Sequence, residues 1–77
     1  MKTEEFKRVF IETEYIRADS LLKLAACAAS GGEAKVMIKN GLVRVNGDIC
    51  TERGKKLYAG DLLETNGKKI IPVKDTN

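Results

Sequence analysis

Histidine and tryptophan are absent from this 77-residue sequence, which has only one proline, two cysteines, two tyrosines and two phenylalanines. Because histidine is the commonest general acid or base in enzymes, its absence disfavours most acid–base catalysis. Two cysteines without a histidine cannot complete a four-ligand zinc site of the usual kind. No apolar run is long enough to span a membrane, and the polar start, Met1 to Glu5, lacks the apolar core of a signal peptide. We therefore expect a soluble cytoplasmic protein with no membrane contact, metal or other cofactor.

The two cysteines do not indicate redox or nucleophilic chemistry. Cys27 lies in a predicted apolar helix and Cys50 in a predicted strand, and buried free thiols are the usual state of such residues in a reducing cytosol. Neither has a candidate base beside it to activate it. The glycines are not followed by the Gly-Lys-Ser/Thr sequence of a nucleotide-binding loop. The sequence predicts a binding module with no catalytic residues.

Positive charge is concentrated in the second half of the chain. The net charge is +3 and the pI about 9.0, but residues 1–16 hold three basic against four acidic residues. Residues 35–56 hold six basic residues against Asp48 and Glu52. This distribution favours a polyanionic partner.

Residues 30–47 contain the clearest local signals. Ser30 with Glu33 three residues later predicts a capping box at a helix start, and Gly41 predicts the helix end. Within that helix Ala34, Met37 and Ile38 share one face, whereas Lys35 and Lys39 share another. Asn46-Gly47, after an alternating apolar segment, is the favoured pair for a two-residue hairpin turn. The segment therefore predicts a helix and a hairpin with basic outer faces.

The rest of the chain completes a single α+β domain over residues 1–77, with two packed helices against a small, mostly antiparallel twisted sheet. Asp19 is expected to cap a first helix over Ser20–Ala29. Pro72 indicates that the last strand lies at a sheet edge. The other predicted elements are strands at Phe6–Ile11, Leu42–Val45, Asp48–Cys50, Leu62–Thr65 and Lys68–Val73, a basic loop at Thr51–Leu57, turns at Gly60-Asp61 and Asn66-Gly67, and a frayed end at Lys74–Asn77.

The order of these motifs resembles the S-four RNA-binding domain, named after ribosomal small-subunit protein four. The resemblance runs from Tyr15 to Glu64 and rests on four segments: Arg17 to Leu22, Ser30 to Ile38, Gly41 to Gly47, and Gly60-Asp61. The Ser-Gly-Gly and Arg-Gly-Lys-Lys sequences are similar to those of the stand-alone bacterial YaaA-like or YbcJ-like subfamily. Membership implies the two-helix αL motif on a small sheet, and recognition of structured RNA, often ribosomal or transfer RNA.

The resemblance also assigns positions. Arg17 matches the arginine that opens the first helix, and Asp19 matches its acidic partner. Ala18 stands where the wider family usually has leucine, and Gly31 where it usually has arginine. The second departure removes a phosphate contact.

The candidate RNA-binding face combines the second helix, the first hairpin and the 53–56 loop. We expect a monomer that binds structured RNA in a ribosomal or tRNA-containing complex. Tyr15 and Tyr58 are the only expected stacking rings, and four aromatic residues in all are too few for a stacking platform, so recognition should depend on charge and shape. DNA binding and a protein-adaptor role are the alternatives, and solvated lysines or an Arg17 ion pair with Asp19 or Glu14 would explain the same residues without RNA. The predicted RNA contacts are Arg17, Lys35, Lys39, Arg44, Arg53, Lys55 and Lys56, with backbone phosphate contacts at Ser30, Gly31 and Gly32.

Overall fold

The structure, a computed structural model, describes residues 5–74, which contain two helices and seven strands. The predicted α+β class, with two helices packed on a mostly antiparallel sheet, is confirmed. In chain order the elements are β1 (Glu5–Ile11), β2 (Tyr15–Arg17), α1 (Ala18–Leu24), α2 (Gly31–Lys39), β3 (Arg44–Val45), β4 (Asp48–Ile49), β5 (Lys56–Tyr58), β6 (Leu63–Thr65) and β7 (Lys68–Lys74).

Five strands form the main sheet, in the order β1-β7-β6-β3-β4. The long strands β1 and β7 run parallel, with Phe6 opposite Lys69 and Phe10 opposite Val73, and the other neighbours are antiparallel. Strands β2 and β5 form a separate antiparallel pair. That pair was not predicted, and the basic loop accordingly ends at Lys55, not at Leu57.

Both hairpins of the main sheet turn at the predicted Asn-Gly pairs. Asn46 and Asn66 have φ angles of 52° and 51°, and the glycines that follow have φ angles of 90° and 76°. Two consecutive residues with positive φ are the mark of the turn whose twist suits a two-residue hairpin. The predictions of turns at Asn46-Gly47 and Asn66-Gly67 are therefore confirmed.

The helices cover one face of the main sheet and leave the other face open. Alternation along the strands points Val45, Leu63 and Ile70 into the core, where they join Leu21, Leu22 and Ile38 of the helices. The same alternation turns the neighbouring side chains outward. The outward residues on this open face include Phe6, Arg8, Phe10, Arg44 and Ile49, all of them exposed.

Helix α2 forms as predicted, whereas α1 is shorter and begins earlier. Ser30 Oγ accepts a hydrogen bond from Glu33 N–H at 3.2 Å, and Gly41, with φ 75°, ends α2. Helix α1 ends at Leu24 because Ala26 takes a left-handed conformation, with φ 61°. Cys27 N–H then donates back to Leu22 O, so Cys27 lies beyond the helix and not within it.

The expected capping role of Asp19 is wrong. Arg17 occupies the cap position, its side chain makes no capping hydrogen bond to the helix backbone, and Asp19 lies inside the first turn of α1. Backbone carbonyls satisfy the free N–H groups instead: Ala18 N–H donates to Lys55 O at 2.8 Å and Asp19 N–H to Arg53 O at 3.1 Å. The 50–55 loop is therefore docked against the start of α1.

The predicted edge position of Pro72 is also wrong, since β7 lies between β1 and β6. Proline is tolerated there because β6 pairs with β7 only as far as Ile70. Pro72 O accepts a hydrogen bond from Gly60 N–H. The nitrogen of Pro72, which carries no hydrogen, faces the same side of the strand as this oxygen, beyond the last residue pair between β6 and β7. Lys74, predicted to belong to a frayed end, is the last residue of β7, and residues 75–77 lie outside the described part.

Candidate nucleic-acid interface

A buried carboxylate organises the most basic part of the surface. Asp19 is 6% exposed, and its Oδ2 accepts hydrogen bonds from Arg17 at 3.2 Å and Arg53 at 3.0 Å. Its Oδ1 accepts from Ser20 N–H at 2.8 Å. Because each bond joins a charged donor or a backbone amide to a carboxylate, the side chain of Asp19 is held in one place. Both guanidinium groups are thereby fixed while their outer edges remain about half exposed.

Two glycines of the neighbouring segments lie beside these guanidinium groups, at distances where an added Cβ atom would make ordinary van der Waals contact. A Cβ atom at Gly54 would lie 3.6 Å from a terminal nitrogen of Arg17. A Cβ atom at Gly31 would lie 3.8 Å from a terminal nitrogen of Arg53. Gly31 was noted as a lost arginine contact, and the structure shows that Arg53, from the loop, brings a guanidinium group beside that position.

Lys35 and Lys39 continue the charged surface along α2. Both are exposed and one helical turn apart. Together with Ile38, Thr51 and Arg53 they line a depression of about 140 Å³ between the helix and the loop. Arg17, Arg53, Lys35 and Lys39 thus form one continuous area, which we call the basic surface.

The other three predicted side chains lie at its margin or away from it. Lys55 is exposed next to Arg53 in the loop, but it lines a depression beside the β3–β4 hairpin. Lys56 lies in β5 directly opposite Arg17. Arg44 projects from the open face of the main sheet, opposite Glu64, and the helices lie on the other face. The structure therefore brings four of the seven predicted side chains together, places two beside them and separates Arg44 from them.

The start of α2 already contains a negative charge. The Glu33 carboxylate accepts a hydrogen bond from Ala29 N–H, next to the cap residue Ser30. A phosphate at the N–H groups of Gly31 and Gly32 would have to approach this carboxylate. The backbone phosphate contact at Ser30, Gly31 and Gly32 stays a prediction.

Tyr15 and Tyr58, which had been set aside as too few for a stacking platform, lie next to the basic surface. They are opposite each other in the β2–β5 pair, and each is two residues along its strand from Arg17 or Lys56. The signal in the sequence was the pair of triplets Tyr-Ile-Arg and Lys-Leu-Tyr, each with one apolar residue between two outward ones. Three residues are too short for periodicity to be recognised with no knowledge of the partner strand.

The residues that the structure describes do not gather three His, Cys, Asp or Glu side chains where a metal ion could be held. Within the same range, no helix is long and apolar enough to cross a membrane. Cys50 is buried, and its thiol donates a hydrogen bond to Glu52 O at 3.3 Å, whereas Cys27 is half-buried.

Comparison with known proteins identifies the family. The S4 domain matches residues 9–72, which include α1, α2 and the docked loop. The chain belongs to the S4 domain family. The resemblance found in the sequence is thereby confirmed, and with it RNA binding as the general function of the module.

Individual relatives agree with this membership. The chain is 42% identical over 59 residues to the probable ribosome maturation protein RlbA of Bacillus subtilis, covering 77% of this chain and 83% of that protein. A second relative, ribosomal large subunit pseudouridine synthase B of the same species, is 44% identical over 45 residues, covering 58% of this chain but only 18% of that protein. This S4 chain therefore matches the enzyme over a small part of the enzyme's length.

A solved structure supports the fold. YbcJ of E. coli, described as revealing an αL motif involved in RNA binding, aligns with a TM-score of 0.65 and 27% identity. The alignment covers 95% of this chain and 91% of YbcJ. The predicted αL arrangement and YbcJ-like character of the chain are confirmed.

Proposed function

We propose that this S4 chain binds structured RNA, ribosomal or transfer RNA, through the basic surface and catalyses no reaction of its own. The observation that carries the proposal is the fixed pair Arg17 and Arg53 on the buried Asp19, beside Lys35 and Lys39. All four cations are exposed, whereas the carboxylate that holds the two arginines is almost fully buried.

The chemistry of this surface suits a phosphate backbone. A guanidinium group can bind two phosphate oxygens at once, and fixing it in advance lowers the entropy lost on binding. The lysines add point charges one helical turn apart, and each neutralised phosphate releases counterions. An irregular, folded RNA can present phosphates to the loop and to the helix together.

The relatives favour a ribosomal setting. RlbA is named as a probable ribosome maturation protein, and the pseudouridine synthase as one of the large ribosomal subunit. From these names we take for this chain only the class of RNA that it binds and not the synthase activity, because the match covers 18% of that enzyme. Action as a cytoplasmic monomer stays a prediction from the sequence.

The three predicted residues outside the basic surface, Lys55, Lys56 and Arg44, differ in the RNA contacts that we propose for them. Lys55 and Lys56 would contact RNA that extends past the loop or past Arg17, because Lys55 lies in the loop and Lys56 lies opposite Arg17. Arg44 would contact the same RNA only if the RNA bent around the edge of the sheet at β4. We therefore expect a smaller effect from replacing Arg44 than from replacing Arg53.

Single charge reversals test the proposal. Lys35→Glu and Lys39→Glu should each weaken binding to a ribosomal RNA fragment, by roughly tenfold for the loss of one phosphate contact plus local repulsion. Arg8→Glu makes the same charge change on the open face of the sheet and is the matched control. Binding is measured by filter retention at fixed salt, with circular dichroism to verify folding. Equal effects of all three variants would show that only total charge matters.

Competition separates the alternatives. Structured RNA and duplex DNA of equal length are competed for the protein at one salt concentration. Preference for RNA supports the proposal, and equal affinity would support the DNA-binding alternative. Full RNA retention by the Lys35 and Lys39 variants would instead favour a protein-adaptor role.

A further inference from the structure

The outer face of the β2–β5 pair has two aromatic rings and two cations in a square. Alternation buries Ile16 and Leu57 and turns Tyr15, Arg17, Lys56 and Tyr58 outward. The register places Tyr15 opposite Tyr58 and Arg17 opposite Lys56. The four side chains are therefore neighbours on one surface, although the two strands are far apart in sequence.

The rings contact each other in a defined geometry. Their centroids are 5.9 Å apart, the planes are tilted by 55°, and Lys56 Nζ lies 4.8 Å from the centroid of Tyr15. Tyr58 is the more exposed ring, at 48% against 38% for Tyr15. Lys56 occupies one face of Tyr15, so Tyr58 offers the larger open aromatic area.

The backbone on both sides of Tyr58 is fixed. Tyr58 N–H donates to Asp61 Oδ2 at 2.7 Å, and Asp61 N–H donates back to Tyr58 O at 2.9 Å. Asp61 also accepts a hydrogen bond from the Asn46 amide at 3.2 Å, which ties this turn to the first hairpin. An aromatic ring on such a support loses little freedom when it binds a flat partner.

We propose that Tyr58, supported by Tyr15, stacks one unpaired nucleobase of the bound RNA. Arg17 and Lys56 then contact the phosphates on either side of that nucleotide. The inference rests on the proposed function, and it adds recognition of a bulged or looped base to backbone binding. Proteins recognise unpaired RNA bases by stacking them on aromatic side chains, and a single-base site of this kind needs only one open ring. Arg17 belongs both to this site and to the basic surface, so the two are continuous.

Intrinsic fluorescence reports on this site alone. Tyr15 and Tyr58 are the only tyrosines, and the chain has no tryptophan. Stacking of a base on a phenol ring quenches its emission, so quenching during a titration locates the base at this pair. The probes are three RNA hairpins of one stem sequence: one with a single bulged adenosine, one with an abasic bulge, and one without a bulge.

The inference predicts that the bulged adenosine hairpin binds more tightly than its abasic counterpart, by roughly five- to a hundredfold, and that it alone quenches tyrosine emission. Tyr58→Leu should abolish the difference, because it removes the ring and keeps the backbone bonds. Phe6→Leu, which removes an exposed ring from the open face of the main sheet, should leave the difference intact.

The outcomes separate the two proposals. Equal binding of all three hairpins without quenching would overturn the stacking site and leave RNA binding by the basic surface in place. A preference that survives in Tyr58→Leu would also overturn it. If none of the hairpins binds, the proposed function itself fails and the stacking site fails with it.

Discussion

Replacing Asp19 by asparagine tests whether RNA binding requires arginines held in fixed positions or only a net positive charge. The substitution removes a negative charge, so charge counting alone predicts tighter RNA binding. In the structure, however, that charge is almost fully buried and fixes both Arg17 and Arg53. We expect Asp19→Asn to weaken RNA binding.

The size of the effect follows from the two arginines. Immobilising a long side chain on binding costs about 0.5–1.5 kcal/mol, so two released arginines cost roughly 2 kcal/mol in total. Removing a carboxylate that lies roughly 8 Å from a phosphate returns about 0.5 kcal/mol in water. The net loss of about 1.5 kcal/mol corresponds to a roughly tenfold higher Kd.

The variant should remain folded. Asparagine can still accept the Ser20 N–H bond, and both lost ion pairs involve half-exposed arginines. Screened pairs of this kind contribute about 0.2–1 kcal/mol each, so two lost pairs should lower the free energy of unfolding by at most about 2 kcal/mol. Chemical denaturation measures this loss, and it stays well within the stability of a typical domain.

Glu52→Gln is the control. It makes the same charge change at an exposed side chain of the docked loop, next to Arg53 in the sequence. We expect its affinity for a ribosomal RNA fragment, measured by fluorescence anisotropy, to rise slightly or stay constant. Tighter binding by both variants would refute the view that Asp19 positions the arginines.

The remaining predictions concern the conformations that fix the fold. Ala26→Gly should raise the free energy of unfolding by about 1 kcal/mol, because a non-glycine residue there pays for a left-handed backbone, and thermal or chemical denaturation checks this. Asn46→Gly should lower the free energy of unfolding by about 1–2 kcal/mol through loss of its hydrogen bonds to Leu62 and Asp61, whereas Asn66→Gly should change it by less than about 0.5 kcal/mol. Equal effects at the two asparagines, which share nearly the same φ, would show that turn geometry alone matters.

Elements set by local chemistry were predicted correctly from the sequence. The capping box of α2 and the two Asn-Gly turns depend on residues within four positions of each other. The end of α1 was missed because alanine at position 26 occupies a conformation in which glycine is expected. The β2–β5 pair was missed because each strand has only three residues and its partner lies about forty positions away.

In the candidate site, too, the features set by local sequence were predicted and those that depend on distant contacts were not. The charge of the second helix and of the loop was visible in the sequence, but the bond from Arg53 to Asp19 spans 34 positions and depends on how the loop docks. Arg44 was grouped with the lysines because both occupy the outer faces of their elements. In two packed layers, the outer face of a helix and the outer face of a sheet point in opposite directions, and the structure separates them accordingly.

The salt dependence of RNA affinity tests the central claim most directly. The Kd for a ribosomal RNA fragment is measured over a salt series for the natural protein, for Lys35→Gln with Lys39→Gln, and for Arg8→Gln. If both lysines contact phosphates, the log–log slope of the double variant should be less steep by about 1.8, and that of Arg8→Gln should be unchanged. Equal slopes for all three proteins would contradict RNA binding by the basic surface.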